Sequence, residues 1–386
     1  ETRWRAHLEG CSFQVPTGGG ARLPDGHDRR DRQPGRPLTA RLGTRTLFLG
    51  GVLIAVVSAF SGPVADPDFW WHIRAGRWML DNGRLPATDL FTFTVPSHVW
   101  TDHEYLTEVL MWLAYRSGGA AAISLGFALV TWLGFVLIHR TSAPSRPPFV
   151  IAGLGLALAA LAGAPIWGPR AQMITFLCAC LELYWLAGYL SGRSRAINWF
   201  PILMALWANL HGGWVIGFAF LGTALAAEEL RWLFAGRPPA ARAHVRRLAV
   251  IGALSLLAVL ATPHGPALYL YPFQTQGSAA QQKLIVEWFS PDFHDNQLRA
   301  FEVMLLAVYV GFALRRPTLY QLLLTLLVTV LALQSVRHVA LFVAATTPIL
   351  VETWSAVYRE LAERHPRLTL RPTQVTPALA AVTPVS

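Results

Sequence analysis

The sequence predicts an all-α polytopic membrane protein of about ten transmembrane helices, with a long first outer loop carrying two interfacial helices. Three observations lead there. Charged residues make up 14% of the 386-residue chain and hydrophobic residues 53%, at a mean hydropathy of +0.39, whereas a soluble domain carries about 25% charged residues. Ten apolar segments recur along the chain, most of them near the roughly 20 residues needed to cross a bilayer. The basic residues fall mainly in alternate connections, the asymmetry that sets membrane orientation.

This composition excludes a disordered chain, collagen and a disulfide scaffold, and it argues against a soluble enzyme. Of the three cysteines, Cys11 lies in a polar leader, while Cys178 and Cys180 share one apolar segment and read as small core residues. The net charge of +10 would suggest nucleic acid if it formed a basic face. None is visible, and no nucleic-acid partner is expected.

Residues 1–44 are rich in Arg, Gly, Pro and Asp without apolar periodicity, which predicts a disordered, basic cytoplasmic leader. The membrane domain is expected over 45–355, and a cytoplasmic tail over 356–386. Its apolar segments are 46–64, 119–138, 149–167, 172–190, 198–210, 213–233, 247–262, 300–314, 318–336 and 339–355. No cleavable-signal pattern precedes the first, so it is expected to remain as an anchor. With the N-terminus cytoplasmic, 24 of the 32 basic residues fall on the cytoplasmic side. Seven of the twelve histidines, and every motif with chemical character, then fall on the outer side.

The outer loop 65–118 is too long to be a plain connector. Residues 71–82 place Trp71, Ala75, Trp78 and Met79 on one helical face and Arg74, Arg77 and Asp81 on another, ending at Gly83. A second helix is expected from Thr101-Asp102-His103-Glu104, which has the form of a capping box, and Gly118-Gly119 separates it from the next span. At the loop's start stand Asp66 and Asp68, beside the membrane surface. Partial desolvation there suits a carboxylate to act as a base; the plainer reading is a helix cap. Trp70 and Trp71 offer faces for a sugar, or an aromatic belt. His72 completes the cluster.

Further polar groups sit at span ends. Arg170, followed by Gln172, and Arg337 with His338 interrupt apolar sequence, where an arginine is expensive. A phosphate or carboxylate is the natural partner of its planar fork, and a snorkelling side chain is the alternative. Asn209-Leu210-His211-Gly212-Gly213 joins two spans, either as a plain hairpin or as a place where glycines admit a ligand. His264 and Glu287 bracket another outer segment. Asp292, His294 and Asp295 have metal-ligand residue types, but their spacing matches no signature. Glu182 is a lone acid inside an apolar segment.

The arrangement resembles the GT-C superfamily of membrane glycosyltransferases, which includes protein O-mannosyltransferases and aminoarabinose transferases. The resemblance rests on a first span leading directly into Asp66-Pro67-Asp68, two interfacial helices, and many further spans. The stretch 45–355 is also similar to bacterial membrane proteins sharing Trp70-Trp71-His72, Asn209-Leu210-His211-Gly212 and Arg337-His338. It implies a polyprenyl-phosphate-linked sugar as donor, a glycan, lipid or protein acceptor, and inverting transfer at the outer face of a bacterial plasma membrane. On that resemblance Asp68 or Asp66 is the general base. Arg337 holds the donor phosphate, with Arg170 and His338 as further candidates. Trp70, Trp71, His72, Asn209, His211, His264 and Glu287 contact substrate. No cofactor is expected, although the oligosaccharyltransferase branch of the superfamily holds a divalent metal at its D-x-D.

Other classes fit less of the sequence. A ligase or flippase for lipid-linked glycans shares the outer arginines, but a flippase needs a polar path through several spans. A non-catalytic membrane scaffold needs no unpaired acids. Haem held by paired histidines is disfavoured because the histidines cluster at span ends rather than within spans.

Overall fold

In the computed structural model, residues 44–60, 66–94 and 97–365 are described. The leader up to residue 43 and the tail beyond residue 365 lie outside the described residues. The described chain is helical throughout, and its one β-type pairing is an isolated bridge between Thr88 and Val99. Thirteen α-helices follow one another: α1 Thr44–Phe60, α2 Phe69–Asn82, α3 Tyr105–Ser142, α4 Phe149–Ala162, α5 Gln172–Leu190, α6 Phe200–Leu210, α7 Val215–Phe234, α8 Pro239–Val259, α9 Tyr271–Gly277, α10 Ala279–Leu284, α11 Arg299–Leu314, α12 Leu319–Gln334 and α13 Val339–Arg364. Each of the ten apolar segments is a helix. With their short 3₁₀ extensions, α3, α5, α7, α11 and α13 are long and apolar enough to cross a membrane, while α4, α6 and α12 are apolar but shorter.

Two boundaries differ from expectation. The helix α8 begins at Pro239 rather than near 247, so the basic stretch containing Arg242, Arg246 and Arg247 is its first part. The proline at its start suits a first turn, where the missing N–H would have no partner. The helix α13 runs to Arg364, past the expected end at 355.

The helix α13 is the hub, packing against α3, α4, α5, α11 and α12. From Val339 to Val351 every residue is buried, as expected of a helix apolar all round. Pro348 sits inside it, and the Thr346 and Thr347 hydroxyls donate back to the carbonyls of Phe342 and Val343 at 2.7 and 2.6 Å. The start of α12 is a capping box: Thr318 Oγ1 accepts from the Gln321 amide, and Gln321 Oε1 accepts from the Thr318 amide.

The loop helices differ from their sequence reading in detail. The buried face of α2 comprises Phe69, His72, Ile73, Ala75, Gly76 and Met79, so His72 points inward while Trp71 and Trp78 are half-buried. The neighbour α3 causes this rotation. Gly76 lies against the Glu108 backbone so closely that a Cβ would overlap the carbonyl, and the two helices therefore meet along the His72–Gly76 face. Gly83 ends α2 in the left-handed conformation, its N–H on the Met79 carbonyl at 2.8 Å. The expected capping box at Thr101 does not form: α3 starts at Tyr105, and Asp102 Oδ1 accepts from the Glu104 amide at 3.3 Å. The Glu104 carboxylate turns to His103 instead. The expected separation at Gly118-Gly119 is present as a break inside α3.

Candidate active site

The acidic loop meets the turn between α4 and α5. Asp66 Oδ2 pairs with Arg170 Nε at 3.1 Å, and its Oδ1 accepts from the Asp68 amide at 3.0 Å. A second carboxylate, Glu287, also pairs with Arg170 and accepts from Gln172 Nε2 at 3.1 Å. Asp68 is exposed, and Trp71 Nε1 donates to its Oδ1 at 3.0 Å.

Glu287 lies in a 3₁₀ turn, Val286–Trp288, which docks on a second one, Val336–His338. The Ser335 hydroxyl donates to the Glu287 carbonyl at 2.7 Å, and the Val336 amide to the Phe289 carbonyl at 2.9 Å. This docking carries Arg337 over the Trp288 ring, 4.5 Å from its centroid. Among the described residues, no carboxylate pairs with the Arg337 guanidinium, though Glu287, Glu104 and Arg170 lie within electrostatic reach. His338 is half-buried, with Nδ1 at 3.2 Å from the Leu331 carbonyl and its ring edge-on to Trp288.

Beneath α2 lies a second polar cluster. His72 Nδ1 bonds Glu108 Oε1 at 2.8 Å, both buried, and Trp71 stacks on His72 at 3.8 Å. Asp102 Oδ2 and Glu108 Oε2 are buried and meet no hydrogen-bond partner among the described residues. Burial pushes the Asp102 carboxyl up. His103 Nε2 bonds Glu104 Oε1 at 3.1 Å. Burial alone would raise Glu104, but the His103 imidazole beside it, with His72 and His211 further off, holds its carboxyl well below the usual range. Tyr271 stacks on His103 at 4.3 Å, and burial pushes its phenol up to about 12.

The Asn209–Gly213 turn closes this cluster. His211 Nδ1 accepts from the Gly213 amide at 3.0 Å and faces the Thr175 hydroxyl at 2.7 Å. Since an amide only donates, the hydrogen of this imidazole sits on Nε2. Trp207 Nε1 in turn donates to Thr175 Oγ1 at 2.9 Å. A Cβ on Gly212 would stand 2.6 Å from His103 Cδ2. What approaches this glycine is thus a histidine of the same chain.

The structure brings Asp66, Arg170, Glu287, Arg337 and His338 to one end of the bundle, with Asp68, Trp71, His72 and His211 around them. Three expected substrate contacts have local structural work. Asn209 ties three segments, accepting from the Tyr105 hydroxyl at 2.5 Å and donating to the Ala205 and Ala261 carbonyls. His264 Nε2 donates to the Asp102 carbonyl at 2.6 Å. Trp70 is 57% exposed and edge-on to Phe69 and Tyr115. Asp292 binds the His294 amide and ring on the exposed surface. Among the described residues, no three His, Cys, Asp or Glu side chains are placed to hold a metal. Glu182 is buried in α5, and neither of its oxygens meets a donor among the described residues. Sequence reasoning did not place Asp102, His103, Glu104 or Glu108 in the site. Their signal was three ionisable residues in a row before an apolar helix, more than a cap requires. Thr175 and Tyr271 carried none.

No protein-family model matches the chain, and no curated protein matches it. Among solved structures, the oligosaccharyltransferase of Archaeoglobus fulgidus in its apo form is similar at TM-score 0.59 and 12% identity, over 86% of this chain and 52% of that one. ArnT from Cupriavidus metallidurans in the apo state is similar at TM-score 0.53 and 14% identity, over 84% of this chain and 61% of that one. This chain therefore spans about half to three fifths of their lengths. The chain shares the fold of these two structures.

Proposed function

We propose that this GT-C-fold membrane protein is a glycosyltransferase that moves a sugar from a polyprenyl-phosphate donor to an envelope acceptor at the outer face of a bacterial plasma membrane. The observation carrying the proposal is Arg337, a half-buried guanidinium packed on Trp288 with no carboxylate partner among the described residues. Guanidinium stays charged at any working pH and matches phosphate in shape. On this reading Arg337 binds the donor phosphate, with His338 at its edge. Arg170, already shared by Asp66 and Glu287, shapes the field around it. As the bond from sugar C1 to the phosphate oxygen breaks, negative charge grows on the leaving group, where fixed cations stabilise it. A single displacement inverts the anomeric centre.

The hydrogen bonds separate the two loop acids. Asp66 has both oxygens engaged and orients Arg170, whereas Asp68 is exposed and accepts from Trp71 Nε1. A divalent cation does not fit this pair, because the Arg170 guanidinium already stands against Asp66 Oδ2. No step is routed through a metal.

The test uses the full chain in lipid nanodiscs with a panel of polyprenyl-phosphate sugars, measuring donor affinity and release of free polyprenyl phosphate. Arg337→Ala should weaken donor binding by about tenfold or more, the worth of a charge-assisted hydrogen bond. Unchanged donor affinity would remove the phosphate role. Neither binding nor release by the wild type across the panel would remove the transferase reading in favour of a scaffold.

A further inference from the structure

We infer that the His103–Glu104 pair, rather than an acid of the first loop, accepts the acceptor's proton during sugar transfer; the inference rests on the transferase reading above. The loop acids are poorly placed for it. Asp66 is spent on Arg170 and the Asp68 amide, and Asp68 is exposed to water and bonded by Trp71. The pair is built differently. Glu104 Oε1 takes the Nε2 hydrogen of His103 at 3.1 Å, which leaves Nδ1 with a lone pair. That nitrogen is buried and meets no hydrogen-bond partner among the described residues. A carboxylate that fixes the tautomer of an imidazole, with the other nitrogen bare, is the arrangement of an activated general base.

The ring stacks on Tyr271 at 4.3 Å and lies close to Gly212, where a Cβ would stand 2.6 Å from its Cδ2. Beside it, at 6.1 Å between centroids, is His211. Its Nδ1 is occupied by the Gly213 amide, so its Nε2 hydrogen is left to donate. An acceptor hydroxyl that donates to His103 Nδ1 supplies the hydrogen the protein withholds, and its oxygen is available to the His211 Nε2 hydrogen. Arg337 lies within electrostatic reach of both Glu104 and His211. Base and leaving-group cation therefore share one region.

In the step, the acceptor oxygen bonds to sugar C1 while His103 Nδ1 takes its proton. The bond from C1 to the phosphate oxygen breaks, and its electron pair leaves on the phosphate at Arg337. The imidazolium so formed is balanced by Glu104 and returns its proton to water once the products leave. Glu104 is the positioning residue and His103 the catalytic one.

The test measures single-turnover release of polyprenyl phosphate in nanodiscs. His103→Gln keeps a donor toward Glu104 but has no basic nitrogen. It should lose about 100-fold or more in rate, the usual worth of a general base, with donor affinity within about twofold. His103→Ala should regain about tenfold or more with added imidazole, which a merely structural histidine does not allow. Glu104→Ala should lower the rate constant and leave donor KM unchanged, and Asp68→Asn should stay within about tenfold of wild type. A His103→Gln rate within tenfold of wild type, or His103→Ala without imidazole rescue, overturns the inference. Wild type that binds donor and never releases polyprenyl phosphate overturns the transferase reading itself, a separate result.

Discussion

Arg170 and Arg337 reach the same end of the bundle in opposite states. Arg170 is neutralised by Asp66 and Glu287, while Arg337 meets only an indole face among the described residues. Removing a partner from a buried ion pair leaves an uncompensated charge, so Arg170 is tied to the structure and Arg337 is available to a ligand. Asp102 gives a test at this scale. It is 1% exposed, and burial raises its carboxyl above the ordinary value of 3.8. A raised folded value contributes stability that is full below the ordinary value and is lost as pH rises through the raised one. Asp102→Asn has no proton to lose. Its melting temperature relative to wild type should therefore climb as pH rises above about 4, the ordinary value. A difference that stays flat over that range would show that Asp102 does not hold a proton in the folded protein.

The first element to carry the site is α3, which works because it is broken. Gly118 leaves the helical region at φ −158° and ψ 24°, and Gly119 has φ 64° and ψ −157°, a conformation open essentially to glycine alone. The break lets the first part of α3 pack along α2 while the second part joins the bundle, and it aims Glu104 and Glu108 at His103 and His72. Gly119→Ala should cost about 1–3 kcal/mol and lower turnover with it. Gly126, in the same helix with open space around its Cα, is the control: Gly126→Ala should be neutral or slightly stabilising. Equal melting temperatures for both variants would remove the break from the argument.

At the scale of the whole molecule, α13 is enclosed by five other helices, and the 3₁₀ turn at its start presents Arg337 and His338. The proposed orientation is tested here. Cysteines replacing Ser97 and Ser278 should react with an impermeant thiol reagent in intact cells, and one replacing Ser194, in the arginine-rich connection after α5, should not. The reverse pattern would place the site on the cytoplasmic side.

The sequence alone determined the helical class, all ten apolar helices, the glycine stop at Gly83, the break at Gly118-Gly119 and the polar residues gathered at one end. These were legible because they are local: in a bilayer each segment must satisfy its own backbone hydrogen bonds, and hydrophobic length and glycine conformation are properties of short stretches. Arg170 and Arg337 looked alike in sequence, and Asp66 could not be told from Asp68. Only the tertiary structure separated them, by bringing Glu287 to Arg170 and Trp288 to Arg337 across more than 100 and nearly 50 residues of chain respectively. It also turned Thr101–Glu104 from a helix cap into half of a polar cluster, because His103 is pressed onto Gly212 and Tyr271. Whether a polar group is paired or left bare depends on neighbours distant in the chain, and that property is fixed by packing rather than by local pattern.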